Sequence, residues 1–286
     1  MSSTPLVSAI IIFLNEERFL AQAVGSVLEQ SHADWELLLI DDGSTDQSTA
    51  IARDFAARDP DRIRYLEHAG HANRGMSAAR NLGLENARGR YMGFLDADDV
   101  WLPGKLREQI AALNEYPRAG MVYGRTLIWH SWRGGNTAAS DEFCELGVKA
   151  DTVVEPPQLL VKLIENRAQT PTTCNALMRR EVFAKVGRFE ESFRGMFEDQ
   201  VFFMKLALVS PVYVSSKCWA RYRQREDSHS AQMEASGEVG AARARLLEWL
   251  EAYLLEQGTT APEVWRMLRR QTHRPRWAFW RRRVPQ

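Results

Sequence analysis

Residues 89–106 read GRYMGFLDADDVWLPGKL, and Asp96, Asp98 and Asp99 there follow an apolar run directly. Carboxylates gathered this closely repel one another, so the cluster calls for positive charge. A helix cap uses one carboxylate, and Asp98 or Asp99 could cap the helix expected after Pro103. One cap leaves two acids unexplained. Asp96 and Asp98, spaced D-x-D on a turn, suit a hard cation such as Mg2+ or Mn2+, which takes oxygen ligands and shares its other positions with phosphate oxygens. Two further acidic pairs stand out. ELLLIDDGSTDQS ends an apolar run in Asp41 and Asp42, and FRGMFEDQVFFMKLALVS sets Glu198 and Asp199 at the start of an apolar helix.

The elements that must position these acids alternate in period. Val7 to Phe13 is a short β-branched run, the pattern of a strand buried on both faces. Glu16 to Gln30 has helical spacing, with Phe19, Leu20, Val24, Val27 and Leu28 on one stripe. A strand over Trp35 to Ile40, a helix to about Arg58, a strand over Ile63 to Leu66, a helix from Met76 to Ala87 and a strand over Tyr91 to Leu95 repeat the alternation. This predicts an α/β fold with a mostly parallel central sheet and helices on both faces. Such sheets bind ligands at the carboxyl ends of their strands, and Asn15 and Glu16, Asp41 and Asp42, and Asp96 to Asp99 all fall there. Downstream, the pattern predicts a helix to Asn114, a strand over Met121 to Trp129, a loop over 131–155, helices at 158–165, 181–186 and 240–256, and short strands near 175–178, 212–214 and 219–222.

Composition narrows the class. The 286 residues carry 37 basic and 37 acidic side chains, so the molecule as a whole is no generic nucleic-acid binder. Cys144, Cys174 and Cys218 are odd in number and lack metal-ligand spacing, which suits a reducing compartment. The apolar run near the amino terminus is too short for a membrane span, and no basic region precedes it. A cytoplasmic protein is expected. From Arg266 onward, Arg266, Arg269, Arg270, Arg274, Arg276, Arg281, Arg282 and Arg283 alternate with Trp265, Trp277, Phe279 and Trp280. That composition suits an anionic membrane surface at the inner face of the cytoplasmic membrane; a solvated tail or a helix docked on the domain are the alternatives.

No G-x-G-x-x-G follows the first strand, and neither G-x-x-x-x-G-K-[ST] nor G-x-S-x-G occurs, which removes the common dehydrogenase, P-loop and α/β-hydrolase readings. The stretches VSAIIIFLNEERFLAQAVGSVLEQ, ELLLIDDGSTDQS, NRGMSAARNLGLENARGRYMGFLDADDVWLPGKL and FEDQVFFMKL resemble, in order and spacing, the family 2 glycosyltransferases. These are inverting, nucleotide-sugar-dependent enzymes of the GT-A fold. The likeness covers about residues 5–225.

The resemblance implies roles that chemistry can test. Asp42 matches the position that accepts from an N–H of the donor's base, with Asp41 beside it and the turn from Phe13 through Asn15 to Glu16 as the adjoining wall. Arg80, in SAARN, matches an arginine near the nucleotide, where a planar guanidinium can pair with phosphate. Asp98 matches the principal metal ligand, and Asp96 a partner contacting metal or donor sugar. Asp199 matches the general base that takes the acceptor's proton, and Glu198 its neighbour; an N-cap role competes for either. RYRQREDSHS resembles a segment that folds over the diphosphate, which makes Arg223, Arg225 and His229 candidates for phosphate or metal contact. His68 and His71 read as loop residues near the nucleotide.

The expected organisation is a catalytic domain over 1–230, with a nucleotide-sugar half to about 115 and an acceptor half beyond, then a C-terminal helical extension over 231–286. The expected reaction moves a sugar, most simply from a UDP-sugar with Mn2+ or Mg2+, to a hydroxyl of a glycan or lipid-linked saccharide in bacterial cell-surface polysaccharide or lipopolysaccharide synthesis. A sugar nucleotidyltransferase is the rival, but it should carry a Gly-rich basic loop where FLNEERF stands. A non-catalytic binding module should have lost D-x-D or E-D, and both are intact.

Overall fold

The computed structural model describes residues 4–134, 140–143, 145–166 and 171–272. Its first half is a run of strand and helix in strict alternation: β1 (Val7–Phe13), α1 (Leu20–Leu28), β2 (Trp35–Asp41), α2 (Ser48–Arg58), β3 (Ile63–Glu67), α3 (Met76–Asn86) and β4 (Tyr91–Asp96). β1 and β2 are buried at every position; most of their residues are apolar, and the polar Ser8 and Glu36 are satisfied by bonding each other at 2.6 Å. They pair in parallel, Val7 opposite Trp35, and β1 pairs in parallel with β4, Val7 opposite Tyr91. The carboxyl ends of β1, β2 and β4 therefore lie side by side, and the three acidic loops emerge along one edge.

The second half is mixed. It comprises β5 (Val100–Trp101), α4 (Lys105–Glu115), β6 (Met121–Trp129), β7 (Glu142–Phe143), β8 (Thr152–Val154), α5 (Gln158–Glu165), β9 (Leu177–Arg179), α6 (Arg180–Val186), α7 (Glu198–Val209), β10 (Val212–Arg223), α8 (His229–Ala235), α9 (Val239–Glu256) and α10 (Pro262–Thr272). The sheet runs β3-β2-β1-β4-β9-β6-β10-β5, with β7 on β6 and β8 on β10. β9 lies antiparallel between β4 and β6, whereas β6 and β10 are parallel. Parallel order thus holds across β3-β2-β1-β4, and the other side of the sheet is a composite.

Alternate residues of β1 point to opposite faces. Ile10 and Ile12 join a core with α3, α5, α7, α9 and α10, while Val7, Ala9, Ile11 and Phe13 join a second with α1 and α4. In α10, Val264 and Leu268, one turn apart, are buried, and the helix lies against α5 and α9. This narrow stripe is enough to dock it. Arg266, Arg269 and Arg270 stay exposed. Arg274, Arg276, Trp277, Phe279, Trp280, Arg281, Arg282, Arg283 and Cys144 lie outside the described residues. No described helix is long and apolar enough to cross a membrane.

Three expectations change. The first helix starts at Leu20 rather than Glu16. The two short strands expected at 212–214 and 219–222 are one strand, β10, with register shifts between Val214 and Ala220. The loop expected over 131–155 contains β7 and β8.

Candidate active site

The loops after β1 and β2 are tied to each other. Asn15, at φ 56°, donates its N–H to Ser44 Oγ (3.1 Å) and accepts from Thr45 N–H at Oδ1 (2.7 Å). Glu16 N–H donates to Ser48 Oγ (2.8 Å) and Glu17 N–H to Asp46 Oδ2 (3.0 Å). These cross-loop bonds fix residues 15–17 as part of the loop, with Asn15 at a left-handed φ, and α1 begins at Leu20.

Asp41 does not face a ligand. It is fully buried, its Oδ1 accepts from the N–H groups of Gly43 and Ser44, and its Oδ2 accepts from Thr49 Oγ1 (2.6 Å) and Tyr65 OH (3.1 Å). It shapes the turn. Phe13 also departs from its expected place, because its ring belongs to the core beside α1. Only its carbonyl meets the site, accepting from Asp42 N–H at 2.9 Å. Asp42 accepts from Arg74 N–H at Oδ1 (2.8 Å) and from Gly75 N–H at Oδ2 (2.9 Å). Burial raises its carboxyl above the usual range, against the pull of those N–H groups. A side chain on Gly43, at φ 91°, would strike Asn73 N, so the two turns meet backbone to backbone. Arg194, which sequence reasoning passed over, reaches this corner by donating to Asn73 O at 3.3 Å. His68 Nε2 is 3.8 Å from Asp42 Oδ1.

Arg80 organises the acid centre. It projects from α3, is 1% exposed, and donates from Nη2 to Asp96 Oδ1 and from Nη1 to Glu198 Oε1, each at 2.9 Å. Burial works against its charge, but the Asp96 and Glu198 carboxylates outweigh that and hold it firmly protonated. The arginine expected to pair with phosphate is thus engaged by two carboxylates, one at the end of β4 and one at the start of α7. Asp96 Oδ2 accepts from Thr173 Oγ1 at 2.9 Å. Thr173 is a site residue that no sequence signal marked.

Asp199, partly buried, accepts from Gln200 N–H at 2.7 Å. Burial and the adjacent Glu198 push its carboxyl up to about 7, with Arg80 opposing. A carboxyl tuned to that range can both lose and accept a proton near neutrality. Neither Glu198 nor Asp199 caps α7, whose N-cap is Phe197. Nor do Asp98 and Asp99 cap α4, whose N-cap is Gly104 with no side-chain bond.

Asp99 turns inward. It is fully buried and accepts from Arg223 N–H at 2.9 Å, fastening β10 to the β4 loop. Asp98 faces Glu16 and Arg225 instead. Arg225 donates to both Glu16 oxygens (2.6 and 3.0 Å), and its Nε lies 3.5 Å from Asp98 Oδ2. Burial first, then Glu16, pushes the Asp98 carboxyl up to about 7 despite Arg225. Arg223 is not placed for phosphate: it donates to Asp98 O and Gln22 Oε1 (2.6 Å each) and lies 4.5–4.9 Å from the rings of Phe19, Trp129 and Trp132. His229, at the exposed start of α8, has no hydrogen bond or ion pair to Asp96 or Asp98 among the described residues.

Among the described residues no group of three or more His, Cys, Asp or Glu encloses a metal site. Asp96 and Asp98 nevertheless fit a hard dication in the shared mode, where a phosphate ligand completes the shell. Their oxygens are the right donor type, and Glu16 adds a third carboxylate near Asp98. His229 does not belong to that donor set.

Residues 8–187 match the model of Glycosyl transferase family 2. TuaG of Bacillus subtilis, whose name assigns it to teichuronic acid biosynthesis, is 40% identical over 126 residues, which are 43% of this chain and 48% of TuaG. The chain therefore spans about half the length of that relative. In structure it is similar to S. aureus TarS 1–349 in complex with UDP-GlcNAc, with TM-score 0.63 and 20% identity over 85% of this chain and 66% of that one. It is also similar to the mannosyltransferase PcManGT of Pyrobaculum calidifontis in complex with GDP-Man and Mn2+, with TM-score 0.63 and 18% identity over 95% and 70%. These two structures share its GT-A fold.

Proposed function

Since the chain belongs to glycosyl transferase family 2, we propose that it transfers a sugar, with inversion, from a UDP-sugar to a hydroxyl of a glycan or lipid-linked saccharide in bacterial surface-polysaccharide synthesis. One observation carries this reading: Arg80 holds Asp96 and Glu198 at 2.9 Å each, so the donor-side and acceptor-side acids stand across a single guanidinium. TuaG's role and the UDP-GlcNAc on TarS favour the polysaccharide setting and the UDP donor.

In the proposed reaction the acceptor oxygen attacks the anomeric carbon from the face opposite the diphosphate. The new C–O bond forms as the bond to the diphosphate breaks. Asp199 takes the acceptor's proton, a task its carboxyl near 7 suits. Glu198, fixed by Arg80, orients the acceptor. Asp42 accepts from the base through the lone pairs its backbone donors leave free. Asp96 and Asp98 would hold a divalent cation, which when bound supplies positive charge to the departing diphosphate.

The test is binding and hydrolysis across UDP-, GDP- and dTDP-sugars, with Mn2+ or EDTA, on wild type and Asp98→Ala. Metal-dependent turnover of one donor, lost in the variant with the fold intact, is expected. If no donor binds under any condition and Asp98→Ala changes stability alone, the reading fails. We also propose that the chain contacts the inner face of the membrane through the Arg266, Arg269 and Arg270 side of α10. Flotation with anionic vesicles at moderate salt checks this, and complete recovery away from the vesicles refutes it.

A further inference from the structure

Away from the acids, a cavity of about 490 Å3 opens between α9 and residues 185–190. This volume lies within the roughly 300–1,000 Å3 of small-molecule sites. Trp249 and Tyr253, one turn apart on α9, form its aromatic side, with ring planes 12° apart and centroids at 5.1 Å. Both are only partly buried. The indole N–H of Trp249 and the hydroxyl of Tyr253 have no hydrogen-bond partner among the described residues. Phe193 braces Trp249 edge-on at 5.8 Å.

The opposite wall is polar. Lys205 is 3% exposed and donates from Nζ to Glu190 Oε1 (2.7 Å) and Arg188 O (2.6 Å). An ammonium has three donors, so one remains. Glu256 and Gln257 stand at the rim. The stacked pair presents apolar ring surface and two polar tips opposite mixed donors and acceptors, a lining that matches a saccharide, which carries apolar C–H groups among its hydroxyls. Lys185, Arg188 and Lys205 stand with Glu190 and Glu256 in the lining, so neutral and carboxylated saccharides are both admitted.

The position of this cavity is informative. Its wall at 187–190 continues along the chain to Glu198 and Asp199. Asn81, the neighbour of Arg80, exchanges hydrogen bonds with Phe189 and donates to Glu191, and Ser77 bonds Phe193 O. On α9, Arg243 binds the carbonyls of Leu163 and Ile164 and lies 5.8 Å from the Phe197 ring, immediately before Glu198. The cavity and the acceptor-side acids are therefore built on one braced segment.

We propose that this cavity is a saccharide subsite that holds a part of the acceptor remote from the reacting hydroxyl. The proposal rests on the reading that the acceptor is a glycan. Its test is tryptophan fluorescence and saturation-transfer NMR on the full chain, with chitotetraose, cellotetraose and tetragalacturonic acid each at up to about 10 mM. At least one is expected to bind with a millimolar or tighter Kd. Trp249→Ala should weaken binding at least tenfold, but it also unseats Phe193. Ala252→Trp, from an exposed position lining the cavity, fills it without touching the core and should abolish binding while donor binding persists. Absence of binding by all three probes, or equal binding in Ala252→Trp, overturns the subsite. Saccharide binding without any nucleotide-sugar binding would instead sink the enzyme reading and leave the subsite standing.

Discussion

Two regions of the site are held in different ways. At the corner between the β2 and β3 loops, carboxylates accept from backbone N–H groups: Asp41 from Gly43 and Ser44, Asp42 from Arg74 and Gly75. Around the acids, side chains hold side chains: Arg80 bridges Asp96 and Glu198, and Arg225 bridges Glu16 and Asp98. Bonds to backbone fix loop shape directly. Ion pairs fix relative charge positions, and their worth depends on how dry they are.

The largest effect should come from Arg80. Arg80→Met leaves Asp96 and Glu198 without their cation, and removing one partner of a buried pair costs about 3–5 kcal/mol. Chemical denaturation should show that loss, with turnover too low to measure. Wild-type stability in the variant would mean the acids are held by something else.

Next comes Asp199→Asn, expected to lower kcat by about 10²- to 10⁴-fold with the fold intact. Stability has a definite sign here. The folded carboxyl lies at about 7, above the roughly 3.9 of an unfolded aspartate. The stability linked to its proton is fully present below about pH 4 and lost as pH rises through 7. In EDTA, Asp199→Asn should therefore melt higher than wild type at pH 8, with the gap closing toward pH 4. An unchanged gap would place the proton elsewhere.

Asp42→Ala strands the N–H groups of Arg74 and Gly75, at a cost of about 1–3 kcal/mol. Donor Kd, read by calorimetry, should weaken about 10- to 100-fold, because base contact and loop shape fail together. The smallest effect is expected at Arg225, itself 9% exposed against 2% for Arg80, with partners Glu16 and Asp98 at 17% and 16%. Arg225→Gln should cost less stability than Arg80→Met, about 1–3 kcal/mol, and change donor KM several-fold. If it unfolds the protein as Arg80→Met does, the contrast between the two bridges collapses.

The elements near the site were legible wherever period and turn chemistry agreed. The buried runs of β1 and β2 and the helix at 76–86 stand close to where the pattern puts them. The acids themselves were visible because they cluster, but clustering did not tell which of them are structural: Asp41 shapes a turn and Asp99 ties down β10. What stayed hidden was long-range pairing. Nothing local shows that Arg80 meets a glutamate 118 residues away, or that Thr173 donates to Asp96 across 77. Asp98 and Asp99 are neighbours of one residue type, yet one faces Glu16 and Arg225 and the other ties down β10, a choice made by the N–H of Arg223. The unity of β10 was masked by the polar stretch SSKC, over which its register slips.

Helix α3 has a consequence for recombination among relatives. By position in the chain it lies with the loops after β1 and β2, but Ser77 and Asn81 bond residues 189–193, and Arg80 reaches from Asp96 to Glu198. A chimera joined near residue 115, where α4 ends, would therefore separate one guanidinium from the carboxylate it was matched to, although no element was cut. Exchange of the chain beyond residue 115 should succeed only when residues 76–86 travel with residues 187–200, so the unit that must be inherited together is discontinuous in sequence.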